Sequence, residues 1–165
     1  MKTLKIIIIL FVVSILKVNA QSSVILKVED IWANSDSLFL QFSIANKGDQ
    51  LIKIYKPERQ DICCGIVKIL LTNNVGEKSQ IIPCVEIIDL DAINLNCKNS
   101  FYLSRDEKLF KEYRFSLKDV VPFLTKNTSY SVQMEIYLKD APFEGEINDI
   151  YKQDLKSKNE VKLKL

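Results

Sequence analysis

The sequence predicts an all-β fold, an antiparallel sandwich of two sheets and about seven or eight strands with one short helix. Three observations carry that expectation. Apolar and polar side chains alternate with period two along most of the chain. Clusters of Asn, Asp, Gly and Ser separate the alternating runs. Helical spacing is confined to Ile147, Ile150, Tyr151 and Leu155 and to a short turn or helix over 118–124.

The elements follow in order. Val24, Leu26 and Val28 alternate with Ile25, Lys27 and Glu29 in a first strand ending near Trp32, and Asn34-Ser35-Asp36 turns the chain. Leu38, Leu40, Phe42 and Ile44 make one strongly apolar face of the second strand. Asn46-Lys47-Gly48-Asp49 reads as a hairpin turn into 51–56, which Pro57 stops. A strand over 64–72 turns at Asn73–Gly76 into 78–88, where Pro83 points to an edge or a bulge. The stretch 89–105 is less regular. Strands then follow over 109–117, 130–139 and 161–165, with period-two alternation in each.

Residues 124–132 hold a more specific pattern. Leu124 and Tyr130 stand six apart around a polar turn, with Thr128 and Val132 in register behind them. This run resembles the tyrosine corner of fibronectin type III and related immunoglobulin-like domains. The resemblance implies an immunoglobulin-like sandwich in which the Tyr130 hydroxyl bonds back to the backbone of the turn. It speaks to fold and not to function.

Residues 1–20 read as a cleavable signal peptide. Lys2 and Lys5 precede an apolar run from Ile6 to Leu16, and Val18-Asn19-Ala20 offers small or aliphatic side chains for cleavage after Ala20. The run is too short for the roughly 20 apolar residues of a membrane span, so no span is expected after cleavage. Residues 21–165 are then expected to form a single β-sandwich domain. Residues 1–20 hold three of the 23 Lys and Arg and none of the 21 Asp and Glu. Their removal leaves a near-neutral protein with interspersed charge, which disfavours nucleic acid and anionic lipid as partners.

Four cysteines, Cys63, Cys64, Cys84 and Cys97, in an exported chain point to two disulfides. A Cys63–Cys64 bond would be a strained vicinal ring, so each is expected to bond to Cys84 or Cys97, in either arrangement. Free buried thiols and a zinc site are the alternatives, and zinc is opposed by the lack of a C-x₂-C pair.

The chain contains no histidine. That removes Ser-His-Asp and Cys-His catalysis and the commonest general base. Four glycines provide no phosphate-binding or dinucleotide loop. No catalytic residue and no cofactor is therefore assigned. The oxygen-rich run Asp89, Asp91, Asn94 and Asn96 is a weak calcium candidate, but it lacks the EF-hand glycine and also fits turns closed by their own side chains. The leading expectation is an exported, monomeric, non-catalytic protein, periplasmic or secreted, that binds another macromolecule or supports envelope structure. Loops 57–63 and 89–105 are the candidate binding surface. A protease-inhibitor or immunity-type protein is the second reading and a small secreted enzyme the third.

Overall fold

A computed structural model of the chain describes residues 24–84, 95–96, 98–120, 124, 128–144, 149–157, 159 and 161–164. The expected signal peptide lies outside the described residues, as do Asp89, Asp91, Asn94, Cys97 and the turn residues 125–127.

The fold is all-β and sandwich-like. The first sheet has three antiparallel strands in the order β1 (Val24–Ala33), β2 (Ser37–Asn46), β8 (Lys108–Ser116). The second runs β11 (Leu155–Lys156), β9 (Ser129–Ile136), β4 (Val67–Asn73), β5 (Lys78–Gln80), and β12 (Val161–Lys164) also pairs with β9. Two short pairs complete the topology. Antiparallel β3 (Ile52–Tyr55) and β7 (Ser100–Leu103) form one, and parallel β6 (Leu95–Asn96) and β10 (Phe143–Glu144) the other.

Period-two alternation explains the core. Leu38, Leu40, Phe42 and Ile44 of β2 are all fully buried, as are Val132, Met134 and Ile136 of β9 and Val67, Ile69 and Leu71 of β4. These inward faces meet in one apolar cluster. β1 is an edge strand whose Val28 pairs with Phe42 of β2 just before a bulge, so the backbone edge of Val28 that faces away from β2 is left open by the sheet. Asn159 fills that gap: its Oδ1 accepts the Val28 N–H at 3.1 Å and its Nδ2 donates to the Val28 carbonyl. The side-chain amide therefore acts as a short extra strand between the sheets.

Several expectations are corrected. Asn46–Asp49 is not a hairpin turn, because β3 pairs with β7 and not with β2. Asn46 is fully buried and its Nδ2 donates to the carbonyls of Gln50 (2.7 Å) and Leu103 (3.0 Å), tying the crossing chain to β7. Residues 64–66 form a turn, since Gly65 takes a left-handed φ of 77° that ends any strand there. The expected strand 78–88 stops at Gln80, ahead of Pro83, which has no N–H to give a ladder. Ile150 is buried in an isolated bridge to Lys53, and Leu155 is paired with β9, so neither lies in a helix. The described α-helix is the short α1 (Leu117–Val120), at the start of the stretch where a turn or helix was expected. Leu124 and Tyr130 of the expected tyrosine corner are both buried.

Candidate functional site

The two larger sheets present different outer faces. On the second sheet, the outward cross-strand pairs include Lys68–Glu135 and Thr72–Ser131, and the charges gather around Glu135. Lys68 of β4 stands opposite Glu135 of β9, which also holds Lys156 of β11 at 2.5 Å. The Tyr137 hydroxyl donates to Glu135 at 2.5 Å, and the Lys68 ammonium lies 4.6 Å from the Tyr137 ring centre. The Lys156 ammonium, followed by the tyrosine hydroxyl, holds the Glu135 carboxyl below its usual range, while the hydrogen bond to Glu135 pushes Tyr137 up to about 12. Such a face meets water without an exposed apolar patch.

The first sheet is different. Outward positions at corresponding levels of its three strands read Trp32–Phe39–Arg114, Lys27–Ser43–Phe110 and Ile25–Ala45–Lys108. The Trp32 and Phe39 rings stack at 5.2 Å with planes 7° apart, and the Arg114 guanidinium lies 5.6 Å from the Phe39 ring centre. Arg114 is held there by a 3.0 Å hydrogen bond from Nε to the Ser37 hydroxyl. Phe110 is 63% exposed and Ile25 44%. Beside Phe110 lies a shallow depression lined by Gln41, Lys111 and Glu112, in which the Gln41 amide donates to Glu112 at 3.0 Å. Aromatic and aliphatic side chains on a solvent-facing sheet, interleaved with charges of both signs, have the composition of a recognition face.

The second concentration of chemistry is internal. A 3-10 turn, Arg59–Ile62, follows Pro57 and carries Asp61, which is only 2% exposed. Its carboxylate accepts the Glu58 N–H at 2.7 Å and the Tyr55 hydroxyl at 3.3 Å. Burial pushes the Asp61 carboxyl up to about 6 despite those hydrogen bonds, and the charge of Glu58 acts in the same direction. Lys111 does not neutralise it directly, because its ammonium is 2.8 Å from both oxygens of Glu58. Tyr113, from β8, is also buried and its hydroxyl lacks a hydrogen-bond partner among the described residues. Desolvation raises both Tyr55 and Tyr113 well above the usual phenol range. This cluster can hold or release a proton, but at 2% exposure the carboxylate does not reach a substrate in solvent.

The cysteines divide between these environments. Cys63 and Cys84 form a disulfide with Cα atoms 5.7 Å apart. Cys64, expected in a second disulfide, is instead a free buried thiol. Consecutive residues of a tight turn project in different directions, so Cys63 reaches Cys84 while Cys64 turns inward and donates its thiol to the Asp61 carbonyl at 3.3 Å. Burial raises the Cys64 thiol above its ordinary value.

Of the calcium candidates only Asn96 is described. It is exposed, and its Oδ1 accepts the Lys98 N–H at 2.9 Å, closing a turn. Among the described residues no group of three or more Cys, Asp or Glu is placed to hold a metal ion, and no helix is long and apolar enough to cross a membrane. Loop 57–63, one of the two expected binding loops, turns inward: Pro57, Asp61 and Ile62 are buried and only Arg59 and Gln60 are exposed. In 95–105, Tyr102 is exposed on β7 with the Lys53 ammonium 5.9 Å from its ring centre. The aromatic face carries a sequence signal that loop reasoning passed over: Phe39 and Phe110 occupy the polar phase of their alternating strands. Asp61 has none beyond its proximity to two cysteines.

No protein-family model and no curated protein matches the chain. Among solved structures, it is similar to the beta-glucosidase from Kluyveromyces marxianus in two crystal structures. The complex with glucose overlays with a TM-score of 0.29 at 13% identity, covering 86% of this chain and 15% of that one. The selenomethionine-labelled enzyme gives a TM-score of 0.35 at 14% identity, covering 85% and 15%. This chain therefore spans a small fraction of the enzyme, and overlaps this low carry no argument about fold, substrate or activity.

Proposed function

We propose that this chain is an exported, non-catalytic β-sandwich protein that binds another macromolecule, or a component of the cell envelope, through the outer face of its first sheet. The observation that carries the reading is that face: Phe110 and Ile25 are exposed on the same sheet as the Trp32–Phe39–Arg114 stack, where the outer face of the second sheet centres on the Lys156–Glu135 ion pair. Export is supported by the N-terminal sequence pattern, and the Cys63–Cys84 disulfide is compatible with an oxidising compartment. The absence of histidine supports the non-catalytic part. The inward turn of 58–63 weighs against an inhibitor that inserts that loop into a partner.

The test compares the wild-type protein with Phe110→Asp as bait in envelope extract. Phe110 is exposed, so the substitution should shift stability by no more than about 0.5 kcal/mol. A partner retained by the wild type and lost with Phe110→Asp is the expected result. Failure to recover any specific partner over repeated conditions, or equal recovery by both baits, would count against the proposal.

A further inference from the structure

The turn from Glu58 to Gly65 joins two chemistries that the proposed binding face does not use. Asp61 closes the turn with its side chain, which takes the Glu58 N–H, and covers the Cys64 thiol with its main-chain carbonyl. Backbone hydrogen bonds from Asp61 to the Glu58 carbonyl, from Cys63 to Gln60 and from Gly65 to Ile62 complete it. Opening this turn therefore releases the Asp61 carboxyl and the Cys64 thiol to water together.

We propose that this turn is a pH-operated latch over Cys64, shut while Asp61 is protonated and loosened when Asp61 ionises. The groups that face Asp61 are Tyr55 from β3, Glu58 and Arg59 in the turn, Cys64 after it, and Lys111 and Tyr113 from β8. Tyr55 is neutral, and Tyr113 is neutral and without a partner for its hydroxyl among the described residues. Glu58 and Lys111 are joined to each other, and the Arg59 guanidinium lies 5.6 Å from the Phe115 ring centre. Among the described residues the ionised Asp61 is then a buried negative charge with no cation paired to it, and protonation removes that charge.

The direction of the pH dependence follows. In the closed turn the carboxyl is raised to about 6, and in the open turn it returns to its ordinary 3.8. The opening constant is flat below the lower value, grows about tenfold per pH unit between the two, and levels off above the upper one. The total rise is on the order of 10²-fold, set by a shift of about two units. The thiol is thus exposed more often near neutrality than in acid, beside an existing disulfide.

The test uses the full mature protein with its disulfide intact and an aromatic disulfide probe that labels thiols across pH 3.5 to 7.5. Each rate is divided by the rate of N-acetylcysteine with the same probe, which removes the intrinsic pH dependence of a thiol, and peptide mass mapping assigns the label to Cys64. The normalised rate should rise on the order of 10²-fold across pH 3.5 to 7.5 in the wild type, most of it between about pH 4 and 6, and stay flat in Asp61→Asn. A flat wild-type profile, or an equal rise in Asp61→Asn, overturns the latch. If the variant does not fold, amide exchange of Cys63 and Gly65 in the wild type decides instead. Protection corrected for intrinsic exchange must fall over the same window, and constant protection overturns the proposal.

Discussion

Replacing Cys63 and Cys84 together by serine removes the cross-link that ties the turn after β3 to the segment after β5. The two cysteines are 21 residues apart in sequence. The loop-entropy relation for a closed ring of that size gives a contribution of about 3 kcal/mol at 25 °C. Both side chains are half-exposed, so the serine hydroxyls find water and add little penalty of their own. For a chain of this length the loss should lower the melting temperature by roughly 6–12 °C. Urea unfolding can be followed through Trp32, the single tryptophan, whose stacking on Phe39 makes its emission sensitive to separation of β1 from β2. The double variant should shift the midpoint without changing the slope beyond what a less constrained unfolded chain requires. Wild-type protein treated with reductant should follow the variant. If the double variant stays within about 0.5 kcal/mol of the wild type, the cross-link does not constrain the unfolded chain and the reasoning fails.

Two further outcomes follow from buried polar groups. Asp61 is raised from 3.8 to about 6, so its contribution to stability is full below the lower value and is lost as pH rises through the upper one. The difference in unfolding free energy between Asp61→Asn and wild type should therefore change by about 2 kcal/mol in favour of the variant between pH 4 and 7. Glu29 and Glu135 shift in the opposite sense and cancel in that difference, which urea titrations at the two pH values would measure; a pH-independent difference refutes the assignment. Asn159→Ala strips both partners from the backbone of Val28, which is fully buried, and should cost about 2–4 kcal/mol and speed exchange of the Val28 amide. An unchanged exchange rate there would show that Asn159 does not join the sheets.

The long strands were legible because a half-buried strand has to alternate. Val24, Leu26 and Val28, the apolar face of β2, and Tyr130 to Ile136 are buried in the phase their spacing predicts. Local chemistry also placed the turns at Asn34–Asp36 and Asn73–Gly76, which join true hairpins. The short pairs were not legible. Two- and four-residue strands such as β6 and β3 are too brief for a period to show, and their partners lie far away in sequence. The expected helix around Ile150 failed for a related reason: residues landing on two different sheet edges produced an apolar spacing that imitates a helical one.

The sequence by itself determined the fold class, the phase of the major strands and the lack of histidine chemistry, because each depends on residue type and near-neighbour spacing. The tertiary structure decided which cysteine bonds and which stays free, because that depends on the direction of two adjacent side chains in a turn set by Gly65 and Asp61. It also decided which aromatics face outward. Strict alternation from Val24 would carry Trp32 into the core, but the bulge after Val28 shifts the phase, buries Ile31 and brings Trp32 out beside Phe39. A single unpaired residue changes which face every later side chain occupies, and no local rule of residue spacing marks where it falls.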